Sequence, residues 1–220
     1  MCAIMHARKL VVLTGFEPFA DFAINPSWEV AKALDQKETS SYKIEAFQIP
    51  LKYRGIRHSI ESIIDRKLPT VLIGFGQSYR PTISLEKVAL NFADLAESNV
   101  SYNCGTIPED EILDSSAPAA YFTNLPIRRI LHRLRQNQIP AEISYSAGTF
   151  GCNQIFFHMM NKIAGDKLEI AAGFIHVPSL QSQAVQLQNS RKITIPSMNL
   201  QTLTKTAEIA VETTMENMLS

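Results

Sequence analysis

The chain is predicted to be an α/β protein with a mainly parallel sheet covered on both faces. Two observations carry this. Strand-like and helix-like segments alternate along most of the 220 residues. Strand candidates such as KLVVLTGF and TVLIGFG are short apolar runs, as expected of strands buried in a sheet covered on both faces. No linker, internal repeat or low-complexity tract interrupts the pattern, so residues 1–220 are expected to form one domain.

The elements follow in order. KLVVLTGF (9–16) is an apolar run stopped at glycine, a buried strand. INPSWEVAKALDQ is a helix with Asn25 as N-cap, Pro26 at the first helical position and Glu29 in the first turn. YKIEAFQIP (42–50) is a strand ended by proline. In YRGIRHSIESIIDRK (53–67), Ile56, Ile60, Ile63 and Ile64 share one helical face. TVLIGFG (70–76) is a central strand, and ISLEKVALNFAD (83–94) alternates in part, as an irregular pair of strands would. Residues 95–120, with Gly105, Pro108 and the acidic PEDEILD, show little periodicity and are expected to be mostly loop. LPIRRILHRLRQ (125–136) is an amphipathic helix whose basic side is expected to be solvated. AEISYSAG (141–148) is a strand, CNQIFFHMMNKIAG (152–165) a helix, EIAAGFIHVP (169–178) a strand closed by proline, and 203–219 the last helix.

Composition narrows the function. Lys plus Arg equals Asp plus Glu at 21 each, so no net field recruits nucleic acid or an anionic membrane. The basic helix lacks interleaved aromatics for nucleic acid. A small or neutral partner held in a pocket fits better. The cysteines, Cys2, Cys104 and Cys152, are odd in number and have no CxxC spacing, which argues against a disulfide framework or a zinc site and for a reducing compartment. The N-terminal apolar run is too short for a secretory signal, and no stretch approaches the roughly 20 apolar residues of a membrane span. A cytoplasmic location is expected.

Chemistry is expected where open α/β sheets gather it, at strand carboxyl ends. Cys152 follows a strand through the small-residue turn SAGTFG and opens a helix. Unpaired N–H groups at such an N-terminus favour a thiolate and offer donors to an oxyanion. Taken locally, the sequence favours a small, buried, inert cysteine over a reactive one. His176 ends an apolar strand and is either a core histidine or the base for Cys152. His158 lies six residues along the helix and points away from Cys152, while His58 and His132 are expected to be solvated. Glu86 would be the orienting acceptor that a Cys–His pair requires. TGFEPF (14–19) sets Phe16 and Phe19 around Glu17-Pro18, as core packing or as an aromatic wall. GFGQSYR (74–80) lacks the spacing of a phosphate fingerprint.

Taken together, TGFEPF, INPSWEVAKAL, ISLEKVALN, APAAYFTNLPI, IPAEISYSAGTFGCN and AGFIHVP resemble the type I pyroglutamyl peptidases, or pyrrolidone-carboxylate peptidases, in order from residue 11 to about 178. The resemblance implies a three-layer α/β/α sandwich, often tetrameric, and a cytosolic cysteine peptidase that removes N-terminal pyroglutamate from peptides without metal or cofactor. It implies Cys152 as nucleophile, His176 as base and Glu86 as orienting acid. Phe16 and Phe19 correspond to residues that sandwich the lactam ring, and Asn25 and Gln77 to positions near the substrate pocket. After EKVALN the chain departs from the family pattern: FADLAESNV replaces a run whose arginine falls on Ala96. Arg80, or a residue of the 97–107 loop, is expected to supply the missing charge. A thiol amidase of altered acyl specificity and a non-catalytic ligand-binding homologue remain the alternative functions.

Overall fold

The computed structural model describes residues 8–98 and 100–218. Cys2 and Leu219, the last residue of the helix expected over 203–219, lie outside them. The first half holds β1 (Lys9–Phe16), α1 (Pro26–Ala33), β2 (Tyr42–Ile49), α2 (Tyr53–Lys67), β3 (Val71–Gln77), β4 (Ile83–Glu86) and β5 (Val88–Leu90). The second half holds β6 (Ala120–Phe122), α3 (Ile127–Gln136), β7 (Ala141–Ser144), α4 (Gly151–Gly165), β8 (Ala171–Val177), β9 (Ser179–Leu180), α5 (Gln181–Arg191), β10 (Ser197–Met198) and α6 (Leu200–Asn217).

Six strands form the central sheet in the order β2-β1-β3-β8-β4-β7. All neighbours run parallel except β8 and β4, which are antiparallel. The alternation of side chains along each strand divides the core in two. Val11, Leu13, Ile73, Phe75, Ile83, Leu85, Ile175 and Val177 face α1, α3 and α6. Val12, Leu72, Ala172 and Phe174 face α2 and α4. The sheet is therefore sandwiched between two helical layers, as the apolar strands require. No helix among the described residues is long and apolar enough to cross a membrane.

Several expectations are refined. The segment 83–94 does split into two strands, but only β4 joins the main sheet; β5 pairs with β6 in a separate ribbon. The basic side of α3 is not simply solvated. Arg133 pairs with Glu216 at 2.8 Å, and Arg129 donates to Asn217 at 2.6 Å, so it faces α6. Helix α5 escapes sequence reading because QSQAVQLQNSR has no apolar stripe; only Gln183 and Leu187 are buried.

Asn25 fixes the entry to α1. Its side-chain oxygen accepts from the Ser27 amide at 3.1 Å and the Ser27 hydroxyl at 2.7 Å, and its amide nitrogen donates to the Glu17 carbonyl at 3.0 Å. Ser27 Oγ in turn accepts from the Phe16 amide at 3.0 Å. The cap thus ties the helix to the loop that carries Phe16 and Phe19. Asn25→Ala is expected to cost about 0.5–2 kcal/mol, the range for a lost N-cap, seen as a lower urea midpoint at constant m-value. An unchanged midpoint would show that the cap is not holding this loop.

Candidate active site

Sheet register brings the polar candidates together. On β3, residues 72, 74 and 76 face α4; on β8, residues 172, 174 and 176 do the same. Gly76 is the register partner of His176. Across the antiparallel step, Ser84 pairs with His176 and Glu86 with Phe174, so Glu86 and His176 are diagonal neighbours on one face. His176 Nδ1 lies 2.8 Å from Glu86 Oε1. Both groups are removed from water: Glu86 is 0% exposed and His176 5%. His176 and Gly76 sit near strand carboxyl ends, as expected. Glu86 is the last residue of β4, so it also ends a strand, but that strand runs against β8.

Cys152 enters from the opposite layer, in the first turn of α4. The chain reaches it through Gly148, whose φ of +81° is a left-handed turn that glycine adopts without strain. A Cβ placed on Gly76 would stand 2.7 Å from Cys152 Sγ, so the sulfur rests directly on the bare backbone of β3 beside His176. The thiol lies close enough to the imidazole for its charge to act on the ring. Since Nδ1 serves Glu86, Nε2 is the nitrogen left for sulfur. Burial opposes the imidazolium, but the Cys152 thiolate and the Glu86 carboxylate outweigh it, and the His176 pKa is pushed up to about 9. Asn153 anchors the same turn: it accepts from the Leu90 amide at 2.8 Å and donates to the carbonyls of Leu90 and Phe92, both at 2.9 Å.

Arg80 completes the charge pattern in an unexpected place. Its Nη1 donates to Glu86 Oε1 at 3.0 Å and Ser144 Oγ at 2.8 Å, and its Nη2 donates to the Ser146 carbonyl at 3.0 Å. The guanidinium is therefore turned onto the carboxylate and the loop leading to Cys152, which is a different use of its charge from the substrate-facing one expected of it. Sequence reading had no way to see this orientation, since it depends on β7 lying beside β4.

The aromatic residues form a wall. Phe16 is 3% exposed, and its ring lies 3.7 Å from where a Gly151 side chain would begin. Phe19 meets Phe150 edge-on at 6.5 Å, Phe150 meets Tyr102 at 4.6 Å, and Tyr102 meets Tyr53 at 5.2 Å. Asn25 is committed to capping. Gln77 turns to α5's side, donating to Ser179 Oγ at 2.8 Å and accepting from Gln183 Nε2 at 3.4 Å. His158 is buried with its ring edge-on to Phe157, and burial together with Arg57 lowers its pKa to about 4. It is a neutral core histidine, while His58 and His132 are exposed as expected.

A thiol beside a buried imidazole that a carboxylate orients, at the mouth of an α/β/α sandwich, is the arrangement of thiol-dependent hydrolases. The chain belongs to the pyroglutamyl peptidase family, whose model matches residues 9–217. A pyrrolidone-carboxylate peptidase of Bacillus cereus (strain Q1) is 38% identical over 207 residues, 94% of this chain and 93% of that protein. The crystal structure of pyroglutamyl peptidase I from Bacillus amyloliquefaciens is 35% identical with a TM-score of 0.87, covering 95% of this chain and 96% of that one. A crystal structure of pyrrolidone carboxyl peptidase from the hyperthermophile Pyrococcus furiosus is 31% identical with a TM-score of 0.90, over 94% of this chain and 99% of that one.

The space over Gly76 provides a direct test. Gly76→Ala puts a methyl group 2.7 Å from both Cys152 Sγ and the buried Phe174 ring. The thiol must shift, and kcat is expected to fall about 100-fold, with about 1–3 kcal/mol lost from overpacking. Full activity in this variant would mean that sulfur need not sit where it is seen.

Proposed function

We propose that residues 1–220 act as one pyroglutamyl-peptidase-like domain, a cysteine exopeptidase that removes N-terminal pyroglutamate from peptides. The observation that carries this reading is the Cys152–His176–Glu86 chain on one sheet face, in a member of this family. The distances and charges support a role for each residue. Cys152 attacks the pyroglutamyl carbonyl as the nucleophile, and the unpaired N–H groups of the first turn of α4 receive the oxyanion. The His176 imidazolium gives its proton to the leaving amine, forming a thioester. The same imidazole then takes a proton from water, which attacks the thioester and releases free pyroglutamate and the thiol. Glu86 fixes the ring through Nδ1, and Arg80 holds Glu86. Phe16 and Phe19 flank the flat lactam, Asn25 shapes the loop that carries them, and Gln77 borders the pocket. No step requires a metal or cofactor. We place the enzyme in the cytoplasm, which suits the free thiols of Cys104 and Cys152, and as a homo-oligomer, which suits exposed apolar side chains such as Phe122 and Tyr145.

A fluorogenic pyroglutamyl amide, compared with prolyl and alanyl amides, tests the reading. The pyroglutamyl compound is expected to be strongly preferred, and Cys152→Ser to lower kcat/KM by roughly 10⁴-fold or more. Preference for another acyl group would favour an amidase of altered specificity. No turnover of any of them would favour a binding protein.

The imidazolium also sets the pH dependence. Its folded pKa, about 9, lies above the ordinary 6.5. The stabilisation that it contributes to the site is complete below about pH 6.5 and is lost as pH rises through about 9. The alkaline limb of kcat/KM is expected near pH 9, moving to lower pH in Glu86→Gln, where one of the charges favouring the proton is gone. A limb that stays in place in that variant would show that Glu86 does not orient and charge the ring.

A further inference from the structure

Tyr102 presents a buried group that the chemistry above does not use. The residue is 1% exposed, and its hydroxyl has no hydrogen-bond partner. Phenylalanine would fill the same space without leaving a polar group dry, and an unpartnered buried hydroxyl is destabilising. The surroundings are specific. Asn103 donates to Glu17 Oε1 at 2.8 Å and to the Pro18 carbonyl at 3.1 Å, and its amide donates to the Leu51 carbonyl at 2.9 Å. These bonds bring Tyr102 against the loop that carries Phe16 and Phe19. Its ring packs on Phe150, two residues before Cys152. Thr149 Oγ1 donates to the Asp94 carbonyl at 2.6 Å, fastening the start of the stretch that carries Tyr102 to the approach to α4. The groups near enough to act electrostatically on the hydroxyl are Tyr53, Cys152, Cys104 and Glu111. Burial holds its ionisation well above the usual phenol range, so it stays a neutral O–H donor wherever the enzyme works.

We propose that Tyr102 is a specificity-determining residue of the acyl pocket, its phenol O–H donating a hydrogen bond to the ring carbonyl of a bound pyroglutamyl group. This rests on the pyroglutamyl-peptidase reading. A γ-lactam brings a strong carbonyl acceptor into an aromatic enclosure. A proline ring of similar size brings none and leaves the hydroxyl unpaired. A site built to bond a substrate polar group rejects the analogue that lacks it, for this reason.

The experiment measures how 2-pyrrolidone, the free lactam ring, protects Cys152 from iodoacetamide, followed by mass mapping of the Cys152 peptide. The wild-type protein is expected to be protected. Tyr102→Phe is expected to need about tenfold more lactam for equal protection. With the pyroglutamyl amide as substrate, its loss is expected mainly in KM and little in kcat. The thermal midpoint of free Tyr102→Phe is expected to equal or exceed that of wild type, because an unpaired group has been removed. Equal protection of wild type and variant would overturn the role of Tyr102 while leaving the peptidase reading intact. A lowered midpoint would overturn it too, by showing that the hydroxyl serves the fold. A wild-type protein that the lactam does not protect would remove the peptidase reading itself.

Discussion

The carboxylate of Glu86 stands one strand in from the edge of the sheet with no exposure to water, and the rest of the site is arranged around that fact. An isolated carboxylate so placed carries a desolvation penalty of several kcal/mol. It is tolerable only beside positive charge and hydrogen-bond donors. Arg80 and His176 supply both to a single oxygen, Oε1. That shared oxygen links the outer edge of the sheet, through Arg80 and Ser144, to the imidazole. The same link keeps the ring in one orientation and favours its protonated form. Removing any member would leave a charge stranded in the interior, so stability and chemistry are bound together at this point.

Much of the scaffold was legible in the residues. Apolar runs located the strands, and the isoleucines of 53–67 marked the buried face of α2. Asn25-Pro26 marked the start of α1, because capping chemistry is local. Cys152 was legible as a helix opener because the small-residue turn SAGTFG precedes it. What made it more than a buried thiol was not local. The decisive register, Gly76 beside His176 and Glu86 one step diagonal, depends on β3, β8 and β4 being neighbours. No periodicity in a single segment reports that. The resemblance to a family supplied the grouping, and the strand pairing supplies its physical cause.

The residues that were misread or passed over share a property. Arg80 could be singled out as a cation, but its direction depends on a strand contributed some sixty residues later, by Ser144 and Ser146. Tyr102 lies in a stretch with no regular structure, held by Asn103, Thr149 and Glu17, each of which looks in sequence like an ordinary polar loop residue. Helix α5 has too few apolar residues to announce itself. In each case long-range hydrogen bonds do what local patterning does elsewhere in the chain.

The seat of Cys152 on Gly76 gives the sulfur a front and a back. Backbone and the Phe174 ring close the hemisphere toward the sheet. Anything that becomes attached to sulfur must grow outward, in the direction of the helix turn and its aromatic neighbours. Room for a bound group therefore lies on the side of the sulfur away from the sheet, and the sheet sets its direction of approach. The absence of a single methyl group in a central strand thus decides from which side the sulfur can be reached.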